Sequence, residues 1–174
     1  MSTTPNTQPI PSTPSTPLTN LHHLYKDITL LSQIASPTIT LHPADRALVS
    51  PPRAPLVGID AAQQHEESLV QAAAARGGKL VFRPESIQVD GRGVFGVVLG
   101  VLEGRLIGIG ASGDGNKRPG EETSEGGCEG KGRKEGEIEM AFCGVWRFDE
   151  MGRAVEHWEN AADPAALGRW LQGK

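Results

Sequence analysis

Cysteine is nearly absent from this chain: there are two in 174 residues, Cys128 in a Gly-rich charged stretch and Cys143 in an apolar one. That excludes a disulfide framework and a Cys-based zinc site, and it fits a reducing, cytosol-like compartment. It also makes Cys143 a small buried hydrophobe rather than a reactive thiol. Long apolar runs are missing too. The longest, around Val94 to Val101, is interrupted by glycines and falls short of the roughly 20 residues that a membrane helix needs, so no membrane association is expected. Basic residues are neither in excess nor gathered: 17 Lys and Arg against 21 Asp and Glu give a net charge of -4. No cationic strip is present to follow a phosphate backbone, and nucleic acid is not expected as a partner. Residues 1–19 have almost no apolar side chains. Their Ser, Thr, Pro, Asn and Gln cannot offset the entropy of ordering, so they read as a disordered arm, without the basic start and apolar run of a secretory leader.

Periodicity organises the remainder. Asn20 to Ala35 places Leu21, Leu24, Tyr25, Ile28, Leu31 and Ile34 three and four apart, the pattern of one amphipathic helix that stops before Pro37. Thr38 to His42 then alternates as a short strand, followed by a proline-rich loop from Pro51 to Pro55. Asp60, three residues before Gln63, forms a capping box that opens a helix to about Ala75, with Gly77 closing it. Its core-facing stripe holds Ala62, His65 or Glu66, Leu69 and Ala73, and a polar side chain there is unusual. Lys79 to Val89 and Gly93 to about Ala111 read as strands around an Asp90-Gly91 turn. Gly96, Gly100 and Gly104 point to bulges or strong bending, with Glu103-Gly104-Arg105 as an alternative hairpin turn. Residues 112–136 have no periodicity and balanced charge, and read as a flexible inserted loop.

Glu137 to Phe148 is the clearest strand, with Ile138, Met140, Phe142, Gly144, Trp146 and Phe148 on one face. Asp149 to Gly152 turns into a strand from Ala154 to Asn160, and Asp163-Pro164 caps a last helix carrying Leu167, Trp170 and Leu171. The order helix, strand, helix, four strands, helix is that of a single α+β domain.

The run from Phe142 to Asn160 carries a Trp146-Arg147-Phe148 strand end, an acidic turn, Gly152, Arg153 and then Glu156-His157-Trp158. It resembles the closing hairpin of SnoaL-like, nuclear transport factor two-like proteins, the superfamily of ketosteroid isomerase, polyketide cyclases and scytalone dehydratase. Leu41-His42-Pro43, followed by Val57-Gly58 and a helix, is similar to the strand, Gly and helix entry of that family, so the resemblance covers roughly residues 20–172. It implies a curved mixed sheet wrapped around about three helices into a cone, with an apolar pocket inside and a homodimer built on the outer face of the sheet. For function it implies a small, largely apolar organic ligand of polyketide- or terpenoid-like character, as in secondary metabolism. The chemistry would be cofactor-independent acid/base catalysis of the isomerase, cyclase or dehydratase type. A non-catalytic ligand-binding or dimerisation module is the alternative, because one fold hosts many functions.

Candidate catalytic groups are His42, His157 and Glu159. His42 occupies the position before Pro43 where the resemblance places the catalytic aspartate of a ketosteroid isomerase, and an imidazole could serve there as base. Gly144 falls where that enzyme has its oxyanion-stabilising acid, and glycine supplies no side-chain donor. The period of two puts His157 and Glu159 on one face of the closing strand and Glu156, Trp158 and Asn160 on the other. The resemblance turns the His157 face into the cone, where a carboxylate beside an imidazole suits proton transfer. Tyr25, Phe95, Met140, Phe142 and Trp146 are either pocket wall or core, core being the safer assumption for each separately, and His65 and Glu66 point at the same pocket. Asp45 and Arg46 read as an ion pair at its mouth. No HxH or HExxH spacing occurs, so no metal is expected.

Overall fold

A computed structural model describes residues 16–48, 50–106 and 136–174. Most of the arm expected over residues 1–19, Cys128 and the loop expected over 112–136, apart from Gly136, lie outside the described residues. The first helix, α1 (Pro17–Leu24), starts before the Asn20 read from the apolar spacing and takes in residues 17–19 of the expected arm. The Thr16 side chain caps it by accepting the Thr19 N–H, and Pro17 fills a first-turn position whose missing N–H costs nothing.

The single helix expected over 20–35 is a correction. After Tyr25 the backbone extends at Asp27, whose carboxylate accepts both the N–H and the hydroxyl of Thr29 and restarts the chain as a 3-10 turn at Ile28–Leu30, followed by α2 (Leu31–Ile34). The buried face nevertheless holds throughout: Leu21, Leu24, Tyr25, Ile28, Leu31 and Ile34 are all in the core. β1 (Ala35–His42) follows, with Pro37 on an exposed stretch where the register is irregular. A two-residue β2 (Leu56–Val57) leads into α3 (Ile59–Ala75).

The cap of α3 is a second correction. Gly58, at φ 96°, occupies the N-cap and its carbonyl accepts the Ala62 N–H, while Asp60 lies inside the first turn. Gln63 has a different duty from the expected box: its side-chain oxygen accepts the Ser32 N–H and its amide donates to the Thr29 carbonyl, tying α3 to the segment before it. Ala62, Glu66 and Ala73 form the buried stripe.

Among the described residues four strands and a helix follow: β3 (Gly78–Val89), β4 (Phe95–Leu106), β5 (Glu137–Phe148), β6 (Ala154–Ala161) and α4 (Pro164–Gln172). They join one six-stranded mixed sheet in the order β2-β1-β6-β5-β4-β3, parallel only between β1 and β6. Glu103-Gly104-Arg105 continues β4 rather than turning, and the irregularity expected at the β4 glycines lies opposite them, where β3 shifts register between Pro84 and Ser86. The glycines make space instead. A Cβ at Gly100 would stand 2.8 Å from the Phe142 ring, and one at Gly104 would stand 2.7 Å from the Trp170 ring.

Helices and the inward residues of the sheet enclose a single core in which Trp146, Leu21, Leu24, Leu31, Ile39 and Leu41 are fully buried. Each such side chain contributes about 1.5–3 kcal/mol through removal from water. Asp163 accepts the Ala166 N–H at the start of α4, and the Trp170 indole donates to the Gly136 carbonyl, which ties α4 to the residue before β5. Among the described residues no helix is long and apolar enough to cross a membrane.

Candidate functional site

The inward faces of β5 and β6, the polar positions of α3 and the end of α1 meet at one cavity that is open at its mouth. Tyr25, Glu66, Phe142, His157 and Glu159 line it, with Ile28, Leu69, Phe82, Leu102 and Leu167 giving an otherwise apolar wall. Strand alternation delivers His157 and Glu159 inward, as the period of two requires, and leaves Glu156 and Trp158 outside, but Asn160, expected with those two, also borders the cavity at the strand's end. Consecutive positions on α3 diverge by about 100°. Glu66 therefore enters the interior and is 1% exposed, while His65 opens onto a second hollow shared with Asp45, Pro164 and Leu171. Glu159 borders both spaces.

The pairing of acids and imidazoles differs from expectation. Glu159 is bonded not by His157 but by His65, whose Nε2 lies 3.1 Å from Oε2, and the same oxygen accepts the Ala44 N–H at 3.2 Å. His157 approaches Glu66 instead, Nδ1 to Oε1 at 3.7 Å, too long for a hydrogen bond. Both ring nitrogens of His157 and Oε1 of Glu66 are buried without a hydrogen-bond partner. The His157 ring lies against Trp146, centroids 3.5 Å apart and nearly parallel. Trp146 Nε1 in turn donates to the Tyr25 hydroxyl at 3.3 Å. That hydroxyl fills the space over Gly144, where a Cβ would stand 2.3 Å from it.

Electrostatics separates the two carboxyl groups. Burial, then the negative charge and hydrogen bond of Glu159, raise Glu66 well above the usual carboxylate range. Burial also pushes Glu159 upward, but the hydrogen bond and charge of His65, the charge of His157 and the Ala44 amide outweigh it and hold Glu159 low. Burial alone would lower His65; the hydrogen bond and charge of Glu159 raise it. His157 has no such bond, and burial brings it down to about 4, so it is a neutral ring near pH 7. Burial likewise drives the Tyr25 hydroxyl upward, keeping it protonated.

Four sequence candidates lie elsewhere. His42 points to the outer side of the sheet, stacked on Trp158 at 5.2 Å, with Nε2 3.0 Å from Glu156 and Nδ1 2.8 Å from Arg46. The reason is parity: Leu41 takes the inward position on β1, and a neighbouring residue must face away. Phe95 is 46% exposed on that same outer side, opposite Arg147. Met140 and Trp146 are core rather than cavity wall. Asp45 pairs with Arg53 rather than with Arg46, and Cys143, expected to be buried, is half-buried and borders the cavity, paired across the sheet with Leu99 and Asn160.

Glu66, His157 and Glu159 also stand out as possible metal ligands, since one donor atom from each lies within 4.8 Å of the others. Sequence reasoning missed this because the donors come from a helix and a strand far apart in the chain, and no short spacing marks them.

No protein-family model matches the chain, and no curated protein matches its sequence. By structure it is similar to a steroid delta-isomerase of Pseudomonas aeruginosa, at 14% identity over 90% of this chain and 87% of the isomerase, with a TM-score of 0.51. It is similar to IdmH of Streptomyces antibioticus, a candidate polyketide cyclase, at 18% identity over 91% of this chain and 99% of IdmH, TM-score 0.51. A further candidate polyketide cyclase, from Xanthomonas campestris pv. campestris, aligns at 10% identity over 91% and 99% of the two chains, TM-score 0.52. At such identities the likeness is one of fold.

Proposed function

From a chain with the α+β cone fold of the nuclear transport factor two-like, SnoaL-like superfamily, we propose an enzyme that moves protons on a small, largely apolar carbonyl compound of polyketide- or terpenoid-like character. The observation that carries this reading is the pair of carboxyl groups on an apolar cavity wall, one bonded by His65 and a backbone N–H, the other without a partner at Oε1. Two like groups in unlike surroundings divide into base and acid. Glu159 is the base that takes the proton next to the carbonyl; Glu66 holds the proton that is returned. Tyr25 accepts from Trp146 and so has its own hydroxyl proton free for the carbonyl oxygen, where negative charge develops. His157 presents a neutral ring that fixes the ligand and is not charged during the cycle.

The test follows solvent-deuterium incorporation by NMR into a panel of small cyclic and linear ketones, beside their effect on the thermal midpoint. We expect at least one compound to raise the midpoint and exchange its α-proton, and Glu159→Gln to slow exchange by about 10²–10⁴-fold while the protein remains folded. Exchange that is unchanged in folded Glu159→Gln would overturn the assignment of the base. A panel that neither shifts the midpoint nor exchanges would overturn the substrate class.

For the assembly, the proposal is a homodimer through the outer face of the sheet. Phe95, Val97 and Leu99 are 46%, 38% and 48% exposed in a row on β4, beside Val145 and Trp158 in register. A contiguous apolar face of this kind is unusual on a free monomer.

A further inference from the structure

Buried polar atoms in a folded protein almost always find partners, and the exceptions call for a reason. Oε1 of Glu66 and both ring nitrogens of His157 have none, although they stand together at the cavity, 1% and 3% exposed. The competing features are poorer in information: the apolar outer face is the dimer surface already proposed, and the charged groups of the groove past Tyr25, Lys26, Asp27 and Lys79, are all exposed.

We infer that Glu66, His157 and Glu159 form a binding site for one divalent first-row transition cation. Three donor atoms, two carboxylate oxygens and one imidazole nitrogen, lie within 4.8 Å of one another. Ligands on a common ion at about 2.0–2.2 Å stand up to about 4 Å apart, so small side-chain rotations bring the set onto one centre. A mixed nitrogen and oxygen donor set suits zinc, manganese or iron(II) better than calcium or magnesium, which take oxygen alone.

The surroundings match what such ligands need. His65 and the Ala44 N–H bond to Glu159 and fix its orientation, as outer hydrogen bonds do around metal-binding carboxylates. Trp146 stacks on the His157 ring from one side and fixes its plane, with Nδ1 3.7 Å from Glu66 Oε1. Three protein ligands leave coordination positions open toward the cavity for water or a ligand oxygen. Binding displaces the proton that a buried Glu66 otherwise holds, so uptake of the cation releases a proton and strengthens with pH.

This inference stands on the cluster and not on the proposed catalysis. With a cation in place Glu66 is a ligand and no longer a proton donor, so turnover by chelator-treated protein and binding by the same protein are separate readouts.

The experiment is isothermal titration of the full, chelator-treated chain with zinc chloride and, separately, manganese chloride, in the absence of any substrate. The expected result is one equivalent bound per chain, a raised thermal midpoint, and about 100-fold weaker binding in both Glu66→Gln and Glu159→Gln. A His22→Ala/His23→Ala control, which removes the exposed pair on α1, leaves binding unchanged. Near-UV circular dichroism confirms folding of the glutamine variants, and an anomalous-scattering peak in metal-soaked wild-type crystals gives a readout that needs no variant. Absence of saturable binding by the wild type, binding that both glutamine variants retain, or an anomalous peak elsewhere would each overturn the site.

Discussion

The hydroxyl of Tyr25 lies where the first carbon of a side chain at position 144 would be, so the residue that the sequence leaves blank is as consequential as those it supplies. Gly144→Ala forces the hydroxyl or the strand to move. We expect it to cost about 1–3 kcal/mol in urea unfolding and to detach Tyr25 from Trp146, seen as a change in tryptophan fluorescence. His157 gives a second test. Its folded pKa, about 4, is below its ordinary value of 6.5, so the unfolded chain takes up a proton first as pH falls. In metal-free protein this contribution to stability is complete above about pH 6.5 and is lost on descent toward pH 4, about 3 kcal/mol in all. His157→Gln should flatten that slope in denaturation series at successive pH values. Alternation along β6 made the shared face of His157 and Glu159 legible in the sequence, and the α3 stripe made His65 and Glu66 suspect. Which imidazole meets which carboxylate was not legible, because it depends on the rotation of α3 over the sheet.

Element by element, the hydrophobic pattern located buried faces better than it located breaks. The segment from Leu21 to Ile34 buries every apolar position that periodicity selects, yet it is interrupted where Asp27 prefers to bond Thr29. An Asp two residues before a Thr inside an apolar stripe was the available signal, a short polar side chain competing with the helix for backbone donors. Asp27→Ala removes the restart. It should lower stability by about 1 kcal/mol, measured as a drop in thermal midpoint, and increase amide exchange at Thr29. β5 needed no such correction, because strict alternation over twelve residues has a single solution once one face is buried.

For the molecule as a whole, the order of elements pointed to an α+β domain, and the resemblance of the closing hairpin supplied the curved sheet wrapped around helices. The parallel contact of β1 with β6 and the exposed row of β4 came only from three-dimensional pairing. His42 lies near that outer face, held by Glu156 and Arg46. Val97→Lys with Leu99→Glu should convert the proposed dimer to a monomer in light scattering while circular dichroism stays native. A variant that keeps the mass of the wild type would place any self-association elsewhere.

Glu159 faces the inner cavity on one side and the hollow of His65 and Asp45 on the other. A ligand that plugs the chamber leaves this carboxylate in hydrogen-bond contact with His65, which lines the second hollow. For the base proposed above, that contact is the route by which its proton would be exchanged from behind while a guest is seated, without reopening the door.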